Sequence, residues 1–230
     1  MSSDPWIVAT RNRGKLRELR ALFGEAGIDV IDLDQAGIDE RPEEEESVEV
    51  HDTFEGNALA KARYYGRRAG GRPVVADDSG LEVAALGGEP GVRSKRWSGR
   101  LDLEGAALDA ANNRLLIGRL EADADRRARF VCAVAWTAGA DVESAAKADA
   151  DAVAEVHAVV VRGEVEGTIV ARGVGDAGFG YDPHFFVPEL GCTLGQATEE
   201  EKQRVSHRAR AIAALLEVLD SRGLLARRRG

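Results

Sequence analysis

The stretch VVADDSGLEV, residues 74–83, sets two adjacent carboxylates at the end of an apolar strand pattern. Its first three residues are typical of a buried strand, and Asp77 and Asp78 follow them directly. Burying two carboxylates costs free energy unless a positive group lies beside them. The stretch therefore predicts a core strand that carries a charged functional site, with a cation or basic side chains as the partner of the carboxylates.

The segments around this strand alternate between strand and helix patterns. Residues 12–27 and 52–71 each place apolar side chains on one helical face; Asn12 is the predicted N-cap of the first helix, and Asp52, with capping-box spacing, of the second. The remaining predictions are strands at 5–10, 29–33, 81–86, 128–138 and 154–171, an acidic loop at 39–49, a helix at 103–121, a polar insertion at 138–153 and a final helix capped by Ser206. This order predicts an α/β protein with a mixed sheet, and residues 1–230 are predicted to form a single domain because no long linker or repeat divides them.

Composition narrows the classes of partner. The 230-residue chain has a formal net charge of −9, which argues against a nucleic-acid polymer as its partner. No apolar run approaches the roughly 18 residues that a membrane helix needs, and the N-terminus lacks the basic and apolar residues of a signal peptide. We therefore expect a cytoplasmic location without membrane contact.

The two cysteines predict neither a zinc site nor a disulfide. Cys132 and Cys192 have no zinc-site spacing and are expected to remain thiols in a reducing compartment.

Two basic features precede the Asp77–Asp78 pair in the chain. The turn ATRNRGK, residues 9–15, resembles a phosphate cradle at a helix N-terminus, although it lacks the spacing of a Walker A loop. Lys61 lies four residues after Asn57 and so shares its helical face. Taken alone, either feature is more typical of an ordinary solvated surface.

Two further motifs lie near the C-terminus. Lys202 is predicted to precede the last helix, whose first turn carries His207 and Arg208, although basic groups are disfavoured there by the helix dipole. The stretch GFGYD, residues 178–182, flanks aromatic rings with glycines, a pattern that suits either a tight turn or a surface on which a base stacks.

Five motifs, in this order and spacing, resemble the inosine/xanthosine triphosphate pyrophosphatases, which remove non-canonical purine nucleotides. They are ATRNRGKLREL, TFEGNALAKA, VVADDSGLEVAALGGEPGVRSKRWSG, GFGYDPHFFVP and TEEEKQRVSHRARA, and the resemblance spans residues 6 to 220. It implies an elongated mixed β-sheet with flanking helices, in two lobes around a central nucleotide cleft. It also implies a homodimer that uses Mg²⁺ to convert ITP, dITP or XTP, small-molecule purine nucleoside triphosphates, into a monophosphate and pyrophosphate.

The resemblance assigns roles to individual residues. Asp78 is implied as general base and magnesium ligand, and the cation predicted beside Asp77 and Asp78 is then the magnesium ion. The implied substrate-binding residues are Thr10, Arg11, Asn12, Arg13, Gly14, Lys15 and Lys61 for the triphosphate, Ser79 as a further substrate contact, and Phe179, Gly180, Tyr181, Asp182, Lys202, His207 and Arg208 for the nucleoside and its base.

The chain departs from the family pattern in two places. Gly56 stands before Asn57, where the family usually has a glutamate. The acidic segment that supplies the second metal ligand is longer than usual, and Glu46 is the predicted ligand among residues 43–49.

Two alternatives stay open at this point. One is a pyrophosphatase for other modified nucleotides on a similar fold, although the intact Ser206–His207–Arg208 sequence favours purines. The other is a non-catalytic nucleotide-binding regulator, against which the paired aspartates argue, because a sensor needs no general base.

Overall fold

The computed structural model describes residues 4–120, 125–138 and 158–225 and contains a seven-stranded sheet flanked by helices. The strands are β1 (Trp6–Val8), β2 (Val30–Ile31), β3 (Val74–Val83), β4 (Arg127–Thr137), β5 (Ala158–Ile169), β6 (Phe185–Val187) and β7 (Cys192–Thr193). Their order across the sheet is β2-β1-β3-β4-β5-β6-β7. β1 pairs in parallel with β2 and β3, whereas β6 pairs antiparallel with β5 and β7, which confirms the predicted mixed sheet.

The helices connect these strands in the predicted alternation. They are α1 (Arg13–Glu25), α2 (Pro42–Glu46), α3 (Phe54–Gly66), α4 (Gly105–Arg119), α5 (Glu199–Val205) and α6 (His207–Ser221). Apart from residue 138, the predicted insertion at 138–153 lies outside the described residues. Cys132 and Cys192 are thiols, as expected. Within the described ranges, no helix is both long and apolar enough to cross a membrane.

α1 begins as the sequence predicts. The Asn12 side chain accepts hydrogen bonds from the backbone N–H groups of Gly14 and Lys15, at 2.8 and 3.1 Å, which confirms it as the N-cap. Leu19 and Phe23 are fully buried on the inner face of the helix. The cap and the buried face together fix the position of Lys15 in the first turn.

β3 is one strand of ten residues, so the prediction of a separate strand at 81–86 was wrong. Residues 84–86 form a short 3₁₀ turn instead. The Asp-Asp-Ser-Gly sequence has low strand propensity and is typical of a turn. However, β3 lies between β1 and β4 in the sheet, and its backbone stays extended through Asp77 and Asp78.

The predicted acidic loop contains the short helix α2, so that prediction was also wrong. Pro42 stands at the start of the helix, where its missing N–H costs no hydrogen bond. Glu43, Glu44 and Glu45 follow in the first turn, where negative charge is favoured by the helix dipole.

Two further boundaries differ from prediction. α3 is capped by Thr53 rather than by Asp52, because the Thr53 hydroxyl accepts the first free backbone N–H, from Gly56 at 3.1 Å. Lys202 lies inside α5 instead of before a helix, since the Thr198–Glu201 capping box starts a separate turn there. Ser206 accepts from Ala209 N at 3.1 Å, which confirms it as the cap of the last helix.

The chain divides into two compact units. Unit 1 comprises residues 1–78, 133–163 and 210–230, and unit 2 comprises residues 79–132 and 164–209. Unit 1 contains the phosphate-cradle turn, α3 and the two aspartates. Unit 2 contains Ser79 and the loop at 178–182. The predicted two-lobe arrangement around a cleft stays a prediction.

Candidate functional site

In unit 1 the paired aspartates contact two lysines. Asp77 is fully buried and Asp78 is 8% exposed. The Lys15 Nζ lies 3.1 Å from Asp77 Oδ2, and the Lys61 Nζ donates to the Asp77 backbone carbonyl at 2.9 Å. Basic side chains from α1 and α3 therefore meet the aspartates at the middle of β3, while the magnesium ion predicted beside them stays a prediction.

Asn57 supports the second aspartate. Its Nδ2 donates to Asp78 Oδ2 at 3.0 Å and to the His51 carbonyl at 3.2 Å, while its Oδ1 accepts from His51 N at 2.9 Å. Asn57 is 3% exposed, so this carboxamide is a buried and well-bonded support. Sequence reasoning noted Asn57 only as a neighbour of Lys61, and its spacing of three residues from the core residue Phe54 was the available signal.

Glu49 is the acidic-segment residue that reaches this group, through an ion pair with Lys61. Glu46, the residue predicted as metal ligand, is exposed at the C-terminal end of α2. We call Lys15, Glu49, Asn57, Lys61, Asp77 and Asp78 the Asp–Lys cluster.

Burial and charge act in opposite directions on the titrating groups. Burial raises the pKa of Asp78 above its ordinary value, and the nearby Glu49 adds to that rise. Lys15, Lys61 and the Asn57 hydrogen bond act against it without cancelling it. Burial by itself lowers the pKa of Lys61, but the attraction of Glu49, Asp77 and Asp78 outweighs burial and raises that pKa. Asp78 is thus a carboxylate with an increased affinity for a proton, as a general base requires.

The donor set of the Asp–Lys cluster suits magnesium. Mg²⁺ prefers oxygen ligands and is commonly held by one or two carboxylates, completed by substrate phosphates and water. Asp78 and Glu49 supply two carboxylates that act on the same lysine and on each other. Across residues 4–120, 125–138 and 158–225, no group of three or more His, Cys, Asp and Glu is arranged to hold a metal ion by itself. The residues present fit an ion that is shared with substrate oxygens.

The phosphate-cradle turn is partly engaged in internal contacts. The backbone N–H groups of Gly14 and Lys15 donate to Asn12, and Asn12 N donates to Thr10 Oγ1 at 3.2 Å. The Arg11 guanidinium is paired with Glu45, and this pair lowers the pKa of Glu45 to about 2. A phosphate on this turn must therefore use other donors or displace the Asn12 cap, whereas the Lys15 ammonium already lies at the cluster.

In unit 2 the loop at 178–182 is held by a buried ion pair. Asp182 accepts from Lys202 Nζ at 2.8 Å and from Phe179 N at 3.1 Å, and both charged residues are buried. Gly178 has a φ of +81° and lies against Asp182 and Lys202 so closely that a Cβ would collide with both. The sequence therefore needs glycine there in order to keep the pair closed.

The two aromatic side chains of this loop point to different environments. Tyr181 is 4% exposed and donates to the Ser94 carbonyl at 2.8 Å, so its ring belongs to the core. Phe179 is half-buried and is the ring left for stacking on a base. The role of Tyr181 in binding the nucleoside stays a prediction.

Two residues of α4 hold the peptide units around Gly180. Asp109 Oδ2 accepts from Gly180 N at 2.8 Å, and Asn113 Nδ2 donates to the Gly180 carbonyl at 2.8 Å. Sequence reasoning missed both. Their spacing of four residues places them on one helical face, which was the only local signal.

Arg208 and His207 are core residues rather than solvated ones. Arg208 is 1% exposed and its Nη2 donates to Ser79 Oγ at 3.0 Å. His207 stacks on Phe130 with ring centroids 4.9 Å apart and an interplanar angle of 14°. The structure therefore brings the predicted residues Ser79 and Arg208 together and holds the Arg208 guanidinium in place within unit 2.

The unusual Gly56 has a steric cause in this chain. A Cβ at position 56 would lie 2.8 Å from His51 Cβ and 2.9 Å from Thr53 Oγ1.

Alanine in a helix is ordinarily about 1 kcal/mol more stable than glycine, but at position 56 we expect Gly56→Ala to lower the midpoint of thermal unfolding because of these two contacts. The His51→Gly/Gly56→Ala double variant removes the His51 Cβ but leaves Thr53 Oγ1, and it should recover part of the loss. A Gly56→Ala variant as stable as the parent would show that the neighbouring segment yields freely.

Comparisons with known proteins were made against sequences and solved structures. The profile of the Ham1 family matches residues 6–218. The chain is 42% identical over 217 residues to a Bordetella parapertussis dITP/XTP pyrophosphatase, covering 94% of this chain and 92% of the relative. It is 45% identical over 216 residues to a dITP/XTP pyrophosphatase of Nocardia farcinica, covering 93% of each. The structure of the Staphylococcus aureus Ham1 protein matches with a TM-score of 0.73 at 33% identity, covering 95% of this chain and 100% of that one. These matches confirm the predicted resemblance.

Proposed function

The chain belongs to the Ham1 family, and from this membership and the Asp–Lys cluster we propose that it hydrolyses the non-canonical purine nucleotides ITP, dITP and XTP. The products are the nucleoside monophosphate and pyrophosphate, so the enzyme cleanses the nucleotide pool. The observation that carries this proposal is Asp78, a buried carboxylate with a raised pKa that is oriented by Asn57 beside two lysines.

Asp78 is the proposed general base. Asn57 orients the carboxylate through Oδ2 and so leaves it positioned to take a proton from the attacking water. The raised pKa increases its proton affinity, which strengthens Asp78 as a base. Attack on the α-phosphorus then expels pyrophosphate.

Lys15 and Lys61 are proposed to stabilise the charge that develops on the leaving pyrophosphate. In the structure both ammonium groups are engaged by Asp77 and Glu49. With Asp78, three carboxylates face two lysines, so the cluster carries an excess of one negative charge. A triphosphate is not attracted to such a group unless a cation accompanies it.

That excess charge supports Mg²⁺ as the cofactor, with Asp78 and Glu49 as the proposed ligands. When bound, magnesium would neutralise phosphate oxygens and make a water molecule a better nucleophile. The Glu49 assignment replaces Glu46 because Glu49 contacts Lys61 and acts on the pKa of Asp78.

Base selection is proposed to depend on donors in unit 2. Inosine and xanthosine present a 6-oxo acceptor, whereas adenosine presents a 6-amino donor. The Arg208 guanidinium is a buried donor group that is already oriented by Ser79. A buried donor left without an acceptor costs roughly 1–3 kcal/mol, so ATP would be disfavoured. Phe179, half-buried beside the Lys202–Asp182 pair, is the proposed stacking ring.

The family resemblance also supports a homodimer in the cytoplasm, and we include both in the proposal. Measuring the molecular mass of the protein in solution tests whether it is a dimer.

The hydrolytic function is tested by pyrophosphate release from ITP, dITP, XTP, ATP and GTP with Mg²⁺ present. Preference for the first three supports the proposal. Preference for modified pyrimidines would favour a different nucleotide pyrophosphatase, and binding without pyrophosphate release would favour a regulator.

Arg208→Ala is expected to change base preference. Loss of a charged donor to the 6-oxo acceptor should reduce kcat/KM for ITP and XTP by roughly tenfold to a hundredfold. The already low value for ATP should change little, since ATP offers no acceptor there. Steady-state kinetics on both nucleotides measure the difference, and thermal unfolding checks that the buried position is still folded.

Lys15→Ala is the matched contrast, because a phosphate contact is common to all nucleotides. Its kcat/KM should fall by a similar factor for ITP and ATP. Equal losses for both nucleotides in Arg208→Ala would instead place that arginine on the phosphates or the sugar.

A further inference from the structure

Arg11 and Glu45 form a two-point ion pair in unit 1. Arg11 lies in the turn between β1 and α1, and Glu45 lies in α2. Arg11 Nε donates to Glu45 Oε2 and Nη2 donates to Oε1, each at 2.9 Å. The two side chains are only 25% and 16% exposed. Bidentate pairs of this kind fix orientation as well as distance.

The other contacts that hold the acidic segment are polar. α2 has no buried residue, and its four consecutive glutamates repel one another. From α3, the Tyr64 hydroxyl donates to Glu44 Oε2 at 3.0 Å, and Tyr65 is hydrogen-bonded to Glu45. Arg68 donates to the Asp39 carbonyl at 2.5 Å and lies 3.9 Å from Glu45 Oε1, at the limit of an ion pair. The position of this segment therefore depends on polar contacts, and the Arg11–Glu45 pair is the two-point ion pair among them.

The same segment ends at Glu49, four residues after Glu45, where it contacts Lys61. A displacement of Glu45 is transmitted along this short connection to Glu49. Arg11 is further surrounded by acidic groups, with Asp34 at 3.4 Å and Glu40 at 3.8 Å. The positive charge of Arg11 is therefore balanced by carboxylates of unit 1 when no nucleotide is bound.

We propose that Arg11 is a positioning residue that holds the acidic segment through Glu45 and thereby keeps Glu49 at Lys61. Its side chain acts on this segment and not on the triphosphate, which changes the role implied by the family resemblance. The expected effect of Arg11 on the Mg²⁺ requirement rests on the proposed function, whereas the Arg11–Glu45 ion pair does not.

The test compares Arg11→Gln, Glu45→Gln and the double variant with two matched controls, Arg17→Gln and Glu43→Gln, which alter exposed residues of α1 and α2. We expect the Mg²⁺ concentration for half-maximal ITP hydrolysis to rise about three- to tenfold in either single variant. The KM for ITP at saturating Mg²⁺ should change little. The double variant should be no worse than either single one, because both remove the same pair.

Hydrogen exchange without nucleotide or metal supplies the second readout. Residues 39–50 should lose protection in the three test variants and keep it in the controls, while the rest of the chain is unchanged. A Glu45→Gln variant with normal Mg²⁺ dependence and normal exchange, beside an Arg11→Gln variant with a raised KM for ITP, would overturn the proposal and return Arg11 to the triphosphate. If the parent protein does not hydrolyse ITP, the proposed function fails, and hydrogen exchange still decides whether the pair holds the segment.

Discussion

Asp78→Asn is expected to remove at least about 99% of ITP turnover while the fold persists, since general-base catalysis contributes about a hundredfold or more. The amide keeps the shape of the carboxylate and can still accept from Asn57 Nδ2. It cannot take a proton from water, and it is a poorer ligand for magnesium. Turnover is measured by pyrophosphate release at saturating ITP and Mg²⁺.

The same variant should unfold at a temperature equal to or above that of the parent at neutral pH, without metal or nucleotide. Because burial raises the pKa of Asp78, the folded state binds this proton more tightly than the unfolded state. The stability gained from that proton is present below the ordinary aspartate pKa and is lost as the pH rises through the raised value. At neutral pH the parent therefore bears the cost of a buried carboxylate, which the amide lacks.

Asp176→Asn provides the control, since Asp176 is exposed and the charge change is identical. It should keep parental turnover. Retention of more than about a tenth of turnover by Asp78→Asn, equivalent to about 1.4 kcal/mol of barrier, would exclude Asp78 as the base.

Removal of divalent metal should abolish activity, with a loss of at least about a hundredfold, and Mg²⁺ or Mn²⁺ should restore it. The three carboxylates of the Asp–Lys cluster outnumber its two lysines, so a triphosphate lacks a sufficient counter-charge without the ion. Ca²⁺ should suppress turnover, because a larger ion with looser coordination alters the alignment of the phosphates. Full activity in excess chelator would rule out the metal-assisted reaction.

Two isosteric variants locate the second ligand. Glu49→Gln should raise the Mg²⁺ requirement, whereas Glu46→Gln, which makes the same chemical change at an exposed position of α2, should not. The reverse pattern would support the ligand predicted from sequence and would show that the Glu49–Lys61 pair is only structural.

Local patterns were sufficient for much of the fold. The Asn12 cap and the buried face of α3 followed from side chains within one or two helical turns of each other. The alternation of strands and helices predicted a mixed sheet, and five motifs in order predicted the family. Such features depend on neighbours in the chain, which a sequence displays directly.

The acidic segment illustrates what a sequence leaves undecided. Residues 43–46 are four glutamates in a row, and Glu49 follows closely, so their local surroundings are nearly equivalent. Only the folded chain distinguishes them. Glu45 meets Arg11 across 34 residues of sequence, and Glu49 meets Lys61.

The sequence by itself determined most of the elements, the Asn12 and Ser206 caps and the chemistry of the charged residues in this protein, because these depend on periodicity and residue type. Tertiary structure alone decided that Tyr181 is a core residue while Phe179 is half-buried. It also decided that α4 holds Gly180 from 67 and 71 residues away, through Asn113 and Asp109. Such contacts arise from packing between distant segments, which optimises burial and hydrogen bonding over the whole chain and leaves no periodic signal in either partner.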